Sequence, residues 1–226
     1  MKKSLRNRYL SKPRYDRYLI ASAYNDDRAG HLYNAGIALS EAFHPLISQF
    51  EVVLRNAIDS VLARHFNDSS WIINEKAGFM NDRSLEKSNF YLRKCVESVE
   101  NKLRKAKTPV TCGRVISDQT FGFWIAFFEP ANYRLMNGRP IQVFKHKPAF
   151  ENRASIYAKL EMIRDFRNRV NHCEPICFNE NRIDCSQAIA VRMSLYELVG
   201  WIEPELVPFF AKIDHVKASV SQLLAV

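Results

Sequence analysis

Apolar residues recur at three- and four-residue spacing along much of this sequence, and that spacing constrains the fold more than any other feature. One such series would occupy a single face of a helix: Phe43, Leu46, Ile47, Phe50, Leu54, Ala57, Ile58 and Val61. The chain also has only 7 glycines among its 226 residues, which is few for a protein with many tight strand turns. We therefore predict an all-α fold that forms one domain over residues 1–226.

The prolines predict where individual helices start and stop. Pro45 would cost little in the first turn of a helix, because its missing N–H has no partner there, so residues 29–66 are expected to form two helices broken near His44. Residues 130–150 contain several helix-breaking residues and are expected to be irregular. Further helices are predicted over residues 84–107, 117–129, 152–173, 186–201 and 209–224.

The chain is basic, with a formal net charge of +9 at pH 7, which favours a polyanionic partner such as nucleic acid. Residues 1–20 form a basic arm in which Tyr9, Tyr15 and Tyr18 accompany seven cations. The arm could track phosphates with its tyrosines stacked on bases, or it could be a terminus whose tyrosines pack against the body. The cations are Lys2, Lys3, Arg6, Arg8, Lys12, Arg14 and Arg17.

Two further patterns bear on compartment and metals. The first twenty residues lack an apolar signal region and no apolar run approaches the roughly 18 residues of a membrane span, so we expect a cytoplasmic protein with no membrane partner.

His172 and Cys173, with Cys177 and Cys185, invite a zinc-site interpretation. However, no second ligand pair completes a tetrahedral site. Reduced thiols and no metal or other cofactor are predicted.

The helix predicted to end near His172 carries the most informative polar residues. Its apolar positions fall in one arc, which contains Ile156, Leu160, Ile163, Phe166 and Val170. Arg167 lies near the edge of the same arc, where a charge is costly unless another group compensates it. Asn168 and His172, four residues apart, are neighbours on its flank.

An arginine, an asparagine and a histidine in one row suit the cleavage of a phosphodiester bond. A guanidinium can stabilise the charge of the transition state, and an imidazole can move protons near neutral pH. The structural alternative is a solvated, salt-bridged face on which His172 occupies the helix C-terminus, where a cation is favourable. The residues alone leave both interpretations open.

A second polar group lies on the earlier helix. Glu51 and Arg55 have the spacing and order of a helix-stabilising ion pair, and Asn56 follows directly. Alternatively, Glu51 could reach across to Arg167 or His172. The spacing does not separate these two roles.

The motifs together resemble a known family. Arg167-Asn168-x3-His172 is similar to the Arg-x4-6-His signature of HEPN-domain ribonucleases, and the surrounding landmarks resemble the Abi-like (abortive infection) family in the same order. One departure is visible, because Cys173 stands where the family often has a second histidine. The landmarks are Leu10-Ser11-x-Pro13-Arg14, Tyr18-Leu19, Tyr33-Asn34, Phe50-Glu51-x2-Leu54-Arg55-Asn56-Ala57-Ile58, Trp71, Ser117, Phe121-Gly122-Phe123-Trp124 and Arg167 through Ile176.

The resemblance implies a HEPN-like helical bundle with additional N- and C-terminal helices. It also implies a metal-independent endoribonuclease that acts as a toxin in anti-phage defence, cleaves RNA by attack of the ribose 2′-OH, and works as a homodimer. Its partners would be substrate RNA and a small regulatory RNA. The main alternatives are a non-catalytic RNA-binding protein or defence scaffold, and a protein-interaction adaptor.

The resemblance also assigns roles to individual residues. Arg167 would bind the scissile phosphate, His172 would transfer protons, and Asn168 would position them. Support is expected from Glu51, Arg55, Asn56 and Glu174.

Overall fold

The computed structural model describes residues 3–226, and nearly all of its regular structure is helical, which confirms the all-α prediction. None of the helices in this described part of the chain is long and apolar enough to cross a membrane. The α-helices are α1 (Lys3–Tyr9), α2 (Lys12–Ala21), α3 (Asp26–Phe66), α4 (Trp71–Asn74), α5 (Tyr91–Lys105), α6 (Cys112–Ser117), α7 (Phe121–Ile125), α8 (Pro130–Leu135), α9 (Arg153–Asn171), α10 (Ser186–Ile202), α11 (Val207–Ile213) and α12 (Val216–Leu224).

Shorter elements connect these helices. A two-stranded antiparallel hairpin, β1 (Phe178–Asn179) and β2 (Arg182–Ile183), pairs Phe178 with Ile183. The 3-10 segments are Phe79–Asn81, Arg83–Ser88, Ala126–Phe128, Arg139–Val143 and Pro204–Leu206.

Helix α3 corrects the prediction of two helices broken near His44. It runs without interruption for 41 residues, with Pro45 inside it. Proline removes one helical hydrogen bond and typically costs about 3 kcal/mol. On either side of it, Phe43 and Leu46 are fully buried, and burying such side chains contributes about 1.5–3 kcal/mol each. Packing of the apolar stripe therefore outweighs the local cost of the proline.

Other helix boundaries also differ from the predictions. Helix α5 starts only at Tyr91, because Asn89 and Phe90 both adopt left-handed backbone conformations. The prediction of one helix over 117–129 is wrong at its start, because Ser117 ends α6 and α7 begins only at Phe121. Thr120 caps α7, since its hydroxyl accepts from the Phe123 N–H at 3.3 Å. The stretch expected to be irregular contains α8 and the 3-10 segment Arg139–Val143.

The chain divides into two compact units. The first comprises the described chain up to Ser48 together with Asp165–Tyr196 and Pro208–Val226, and the second comprises Gln49–Arg164 and Glu197–Val207. In the first unit the rings of Phe43 and Phe166 meet edge to face, with centroids 4.6 Å apart. The second unit has an aromatic core that includes Phe123, Trp124 and Phe127.

The basic arm forms helices α1 and α2, and Lys2 lies outside the described residues. Tyr15 and Tyr18 are buried and contact the Tyr33 ring at centroid distances of 5.6 and 5.2 Å. Arg6 is buried over the Tyr15 ring and donates to Asp26 at 2.8 Å. Of the three tyrosines, only Tyr9 is largely exposed, so the packed terminus is the better description for Tyr15 and Tyr18.

A buried ion pair links the C-terminal helices of the first unit. Arg192 Nε donates to Asp214 Oδ2 at 2.6 Å, and the Tyr196 hydroxyl donates to the same oxygen at 2.9 Å. The Asp214 side chain is only 4% exposed. Burial alone would raise the pKa of Asp214, but the hydrogen bonds from Arg192, the Val216 N–H and Tyr196 outweigh it and lower the pKa. Asp214 therefore stays ionised inside the fold, just before α12.

Candidate functional site

Helix α9 has the buried face that its spacing predicts. Ile156, Leu160, Ile163 and Phe166 are fully buried and Val170 nearly so. Arg167, at the edge of this arc, is only partly exposed, whereas Asn168 and His172 are exposed. The apolar face thus holds the helix in place and presents the polar residues along one side of its C-terminal end.

Arg167 is oriented by Asn171, one turn further along the helix. In the amide orientation that satisfies both groups, the Asn171 side-chain oxygen accepts from Arg167 Nε at 3.2 Å and from Nη1 at 3.1 Å. Two hydrogen bonds to one planar guanidinium restrict its rotation. Asn171 was not among the predicted site residues. Its i,i+4 spacing from Arg167 is the signal that could have identified it.

Asn168 contacts His172 through its backbone. Its backbone carbonyl accepts from the His172 N–H at 2.9 Å, which continues the helical hydrogen-bond pattern to the histidine. The side chain of Asn168 is exposed. Its predicted role in positioning the histidine or the substrate stays a prediction.

The end of α9 is defined by a left-handed residue, Cys173, with φ +54°. The Cys173 N–H bonds to the Val170 carbonyl at 3.0 Å, and the Glu174 N–H bonds to the Arg169 carbonyl at 2.9 Å. These two bonds form a Schellman motif, which normally has glycine or asparagine at the left-handed position. His172 therefore occupies the last residue before the chain reverses, and its imidazole is exposed to solvent.

The segment after His172 is held by Arg169. Its Nη2 donates to the Pro175 carbonyl at 2.6 Å, its Nη1 donates to Gln187, and its Nε lies 3.6 Å from the Glu174 carboxylate. Arg169 thereby ties the chain that follows the helix to the first turn of α10. Glu174, predicted to support the site, contacts Arg169 in this arrangement.

The other three predicted residues lie on α3, in the second unit. Arg55 donates to Asn56 Oδ1 and to the Ser117 carbonyl, each at 3.4 Å. Glu51 is partly buried and Asn56 is exposed. Arg167, Asn168, Asn171, His172 and Glu174 thus share one unit, and Glu51, Arg55 and Asn56 share the other.

The cysteines and histidines offer no assembled metal site within the described residues. Among residues 3–226, no group of three or more His, Cys, Asp or Glu side chains could hold a metal ion together. Cys177 and Cys185 are buried. Burial, and secondarily the neighbouring Cys185, raises the pKa of the Cys177 thiol to about 12, so Cys177 remains protonated near neutral pH.

No protein-family model, no curated protein and no solved structure matches the chain.

Proposed function

We propose that this protein is a metal-independent endoribonuclease of the HEPN type that acts as a toxin in abortive infection. The observation that carries the proposal is the end of α9, where Asn171 orients the Arg167 guanidinium and the exposed imidazole of His172 follows directly. A guanidinium is a donor fork for phosphate, and an imidazole exchanges protons near neutral pH. The two groups supply the minimum chemistry for breaking a phosphodiester bond of RNA.

The proposed reaction needs no group beyond the RNA and these side chains. The ribose 2′-oxygen attacks the adjacent phosphorus, and the bond from phosphorus to the 5′-oxygen of the next nucleotide breaks. His172 takes part in the proton transfer from the 2′-OH to the leaving 5′-oxygen, and Arg167 stabilises the negative charge on the phosphorane. The products are a 2′,3′-cyclic phosphate and a 5′-hydroxyl.

The wider proposal follows the same family resemblance. The all-helical chain would form a HEPN-like bundle extended by N- and C-terminal helices, and two copies would pair to place their motifs around one RNA cleft in the cytoplasm. A net charge of +9 supports RNA as substrate and a small RNA as regulator.

Cleavage of RNA in the presence of EDTA tests the proposal. The purified protein should cut single-stranded RNA with excess EDTA present and leave 2′,3′-cyclic ends, because no metal takes part. An RNA with 2′-deoxyribose at the scissile position should stay intact, because its nucleophile is missing. Dependence on Mg²⁺, or cutting of DNA at a similar rate, would contradict the proposed mechanism.

Asn171→Ala is expected to lower kcat by roughly 10- to 100-fold, because hydrogen bonds to a charged group contribute about 1.5–3 kcal/mol. The midpoint of thermal unfolding should change little, since Asn171 is exposed. Asn171→Gln, which keeps the acceptor oxygen, should restore part of kcat in the same steady-state assay. An unchanged kcat for Asn171→Ala would show that Arg167 does not need this partner.

A cleft in the second unit supports the second candidate, RNA binding without catalysis. It has a volume of about 250 Å³ and is lined by Val61, Arg64, His65, Arg139 and Gln142. These described lining residues carry cationic and neutral donors but no carboxylate, which suits a phosphate. If this function is the correct one, RNA binding with steep salt dependence should be accompanied by no cleavage and no toxicity.

A further inference from the structure

A cavity of about 360 Å³ opens beside the end of α9. Its walls come from α2 and α3 and from the α9 end, all within the first unit. We call it the Tyr33 cavity, and the residues that matter here are Arg14, Tyr18, Tyr33, Ser40, Cys173 and Glu174. His172 lies between Val170 and Cys173, which both line the cavity, so the cavity directly adjoins the proposed catalytic segment.

Two tyrosine rings give the Tyr33 cavity its aromatic wall. The Tyr18 ring is fixed edge to face against Phe178, with centroids 4.9 Å apart. Gly36 allows the Tyr18 hydroxyl to approach, since a Cβ at that position would lie only 2.9 Å from the hydroxyl oxygen. Tyr33 packs against Tyr18 at 5.2 Å but stays partly exposed. A rigid buried ring thus supports a second ring that is open to a ligand.

The polar groups of the Tyr33 cavity are few and varied. Arg14 supplies a cation, the Ser40 hydroxyl donates to the Gly36 carbonyl at 3.2 Å and can accept a further bond, and Glu174 supplies a carboxylate. Pockets that bind small ligands combine such a mostly apolar wall with a small number of polar groups. Arg14 matches a phosphate, and a planar aromatic ring matches the tyrosine faces.

We propose that the Tyr33 cavity binds one nucleobase of the RNA substrate, next to the phosphate held by Arg167. The inference rests on the proposed function. The volume of the Tyr33 cavity lies near the lower end of the roughly 300–1,000 Å³ range of ligand sites. Such a volume suits a single planar group rather than a duplex. A base that stacks on Tyr33 fixes the position of its own ribose and phosphate, so the cavity sets which bond reaches His172.

Binding of hexaribonucleotides tests the proposal without depending on cleavage. The protein carries His172→Ala so that RNA stays intact, and fluorescein-labelled hexamers of random sequence are compared with a fully abasic hexamer by anisotropy. Tyr33→Leu should weaken binding of the base-containing hexamers by about 5- to 100-fold, the range for loss of one stacked base, and leave the abasic hexamer unaffected. Tyr33→Phe should bind both hexamers as tightly as the parent protein, which carries His172→Ala alone, because stacking needs only the aromatic ring.

Matched variants separate base recognition from general charge. Arg14→Gln should weaken both kinds of hexamer, since its cation meets the phosphate, and Tyr24→Leu, which alters an exposed tyrosine, should change neither. Quenching of a 2-aminopurine hexamer by the parent protein gives a second readout if Tyr33→Leu does not fold. Equal weakening of both hexamers by Tyr33→Leu, or no binding by the parent, overturns the proposal. Base-dependent binding together with intact RNA when His172 is present would refute only the ribonuclease function.

Discussion

Replacing His172 with alanine is expected to slow RNA cleavage by about 10²- to 10⁴-fold, the usual contribution of a general acid or base. Arg167→Ala is expected to cost about 10²- to 10³-fold, because it removes the donors that meet the phosphorane charge. Initial rates on a labelled single-stranded RNA, measured with EDTA present, give both values. In growing cells, induction of the native protein should arrest growth, and induction of His172→Ala should not.

The chain offers matched controls for both substitutions. His31 is an exposed histidine on α3, and Arg83 is an exposed arginine in a 3-10 segment; alanine at either position should leave the cleavage rate within about twofold. The double variant Arg167→Ala/His172→Ala should be little slower than the worse single variant, because groups that act as a unit are not additive. Cleavage that persists in both single variants would exclude the α9 end as the catalytic site.

Arg167→Lys distinguishes the charge of the guanidinium from its geometry. Lysine keeps the positive charge but lacks the planar donor fork that spans Nε and Nη1, so the paired bonds to Asn171 are lost. We expect cleavage intermediate between the native protein and Arg167→Ala. Such a result would show that the geometry of the guanidinium, and not its charge alone, contributes to the rate.

The periodicity of the sequence predicted the parts of the fold that depend on one helix at a time. The buried face of α9 from Ile156 to Val170 was predicted residue by residue. Helix α10 ends at Ile202, directly after its predicted last residue, Trp201. These features follow from a 3.6-residue repeat that every residue in the helix shares. The uninterrupted α3 was missed because Pro45 is locally unfavourable, and the burial of the apolar stripe that includes Phe43 and Leu46 outweighs that cost.

The candidate site was predicted less completely, for a related reason. Arg167 and His172 stand out in the sequence. The i,i+4 spacing from Arg167 points to Asn171 as well, but spacing does not give the direction of the Asn171 side chain. The Tyr33 cavity needs Arg14, Ser40 and Cys173 to come together from three separate helical segments. The left-handed backbone conformation at Cys173 could not be predicted either, because the residue there is not the glycine that usually adopts it. Tertiary contacts of this kind have no local sequence signature.

Asp214→Ala is expected to have the largest effect on stability, about 3 kcal/mol in the free energy of unfolding. Removing one partner of a buried ion pair leaves the other charge uncompensated, and here the Arg192 side chain is only 17% exposed. The Tyr196 hydroxyl and the Val216 N–H also lose their acceptor. For a chain of this length the loss corresponds to a fall of roughly 10 °C in Tm, measurable by circular dichroism.

The matched control is a second aspartate in an exposed pair. Lys12 and Asp16 form an ion pair on α2 at 2.9 Å, with side chains 71% and 38% exposed, and such pairs contribute about 0–1 kcal/mol. Asp16→Ala should therefore shift Tm by little more than the experimental error. Similar shifts for Asp16→Ala and Asp214→Ala would show that the buried pair contributes no more than a surface pair.

The ion pair between Arg192 and Asp214 makes the stability of the protein depend on pH. The pKa of Asp214 is lower in the folded protein than its value of about 3.9 in an unfolded chain. Its contribution is therefore complete above that pH and is lost as the pH falls through the folded-state pKa. The native protein should lose more stability than Asp214→Ala between pH 5 and the acid limit.

The double variant Arg192→Met/Asp214→Leu, which replaces both charges with apolar groups, should recover much of the stability at pH 7 and lack this acid-dependent contribution. If it were as unstable as Asp214→Ala, the packing of this region rather than the uncompensated charge would account for the loss.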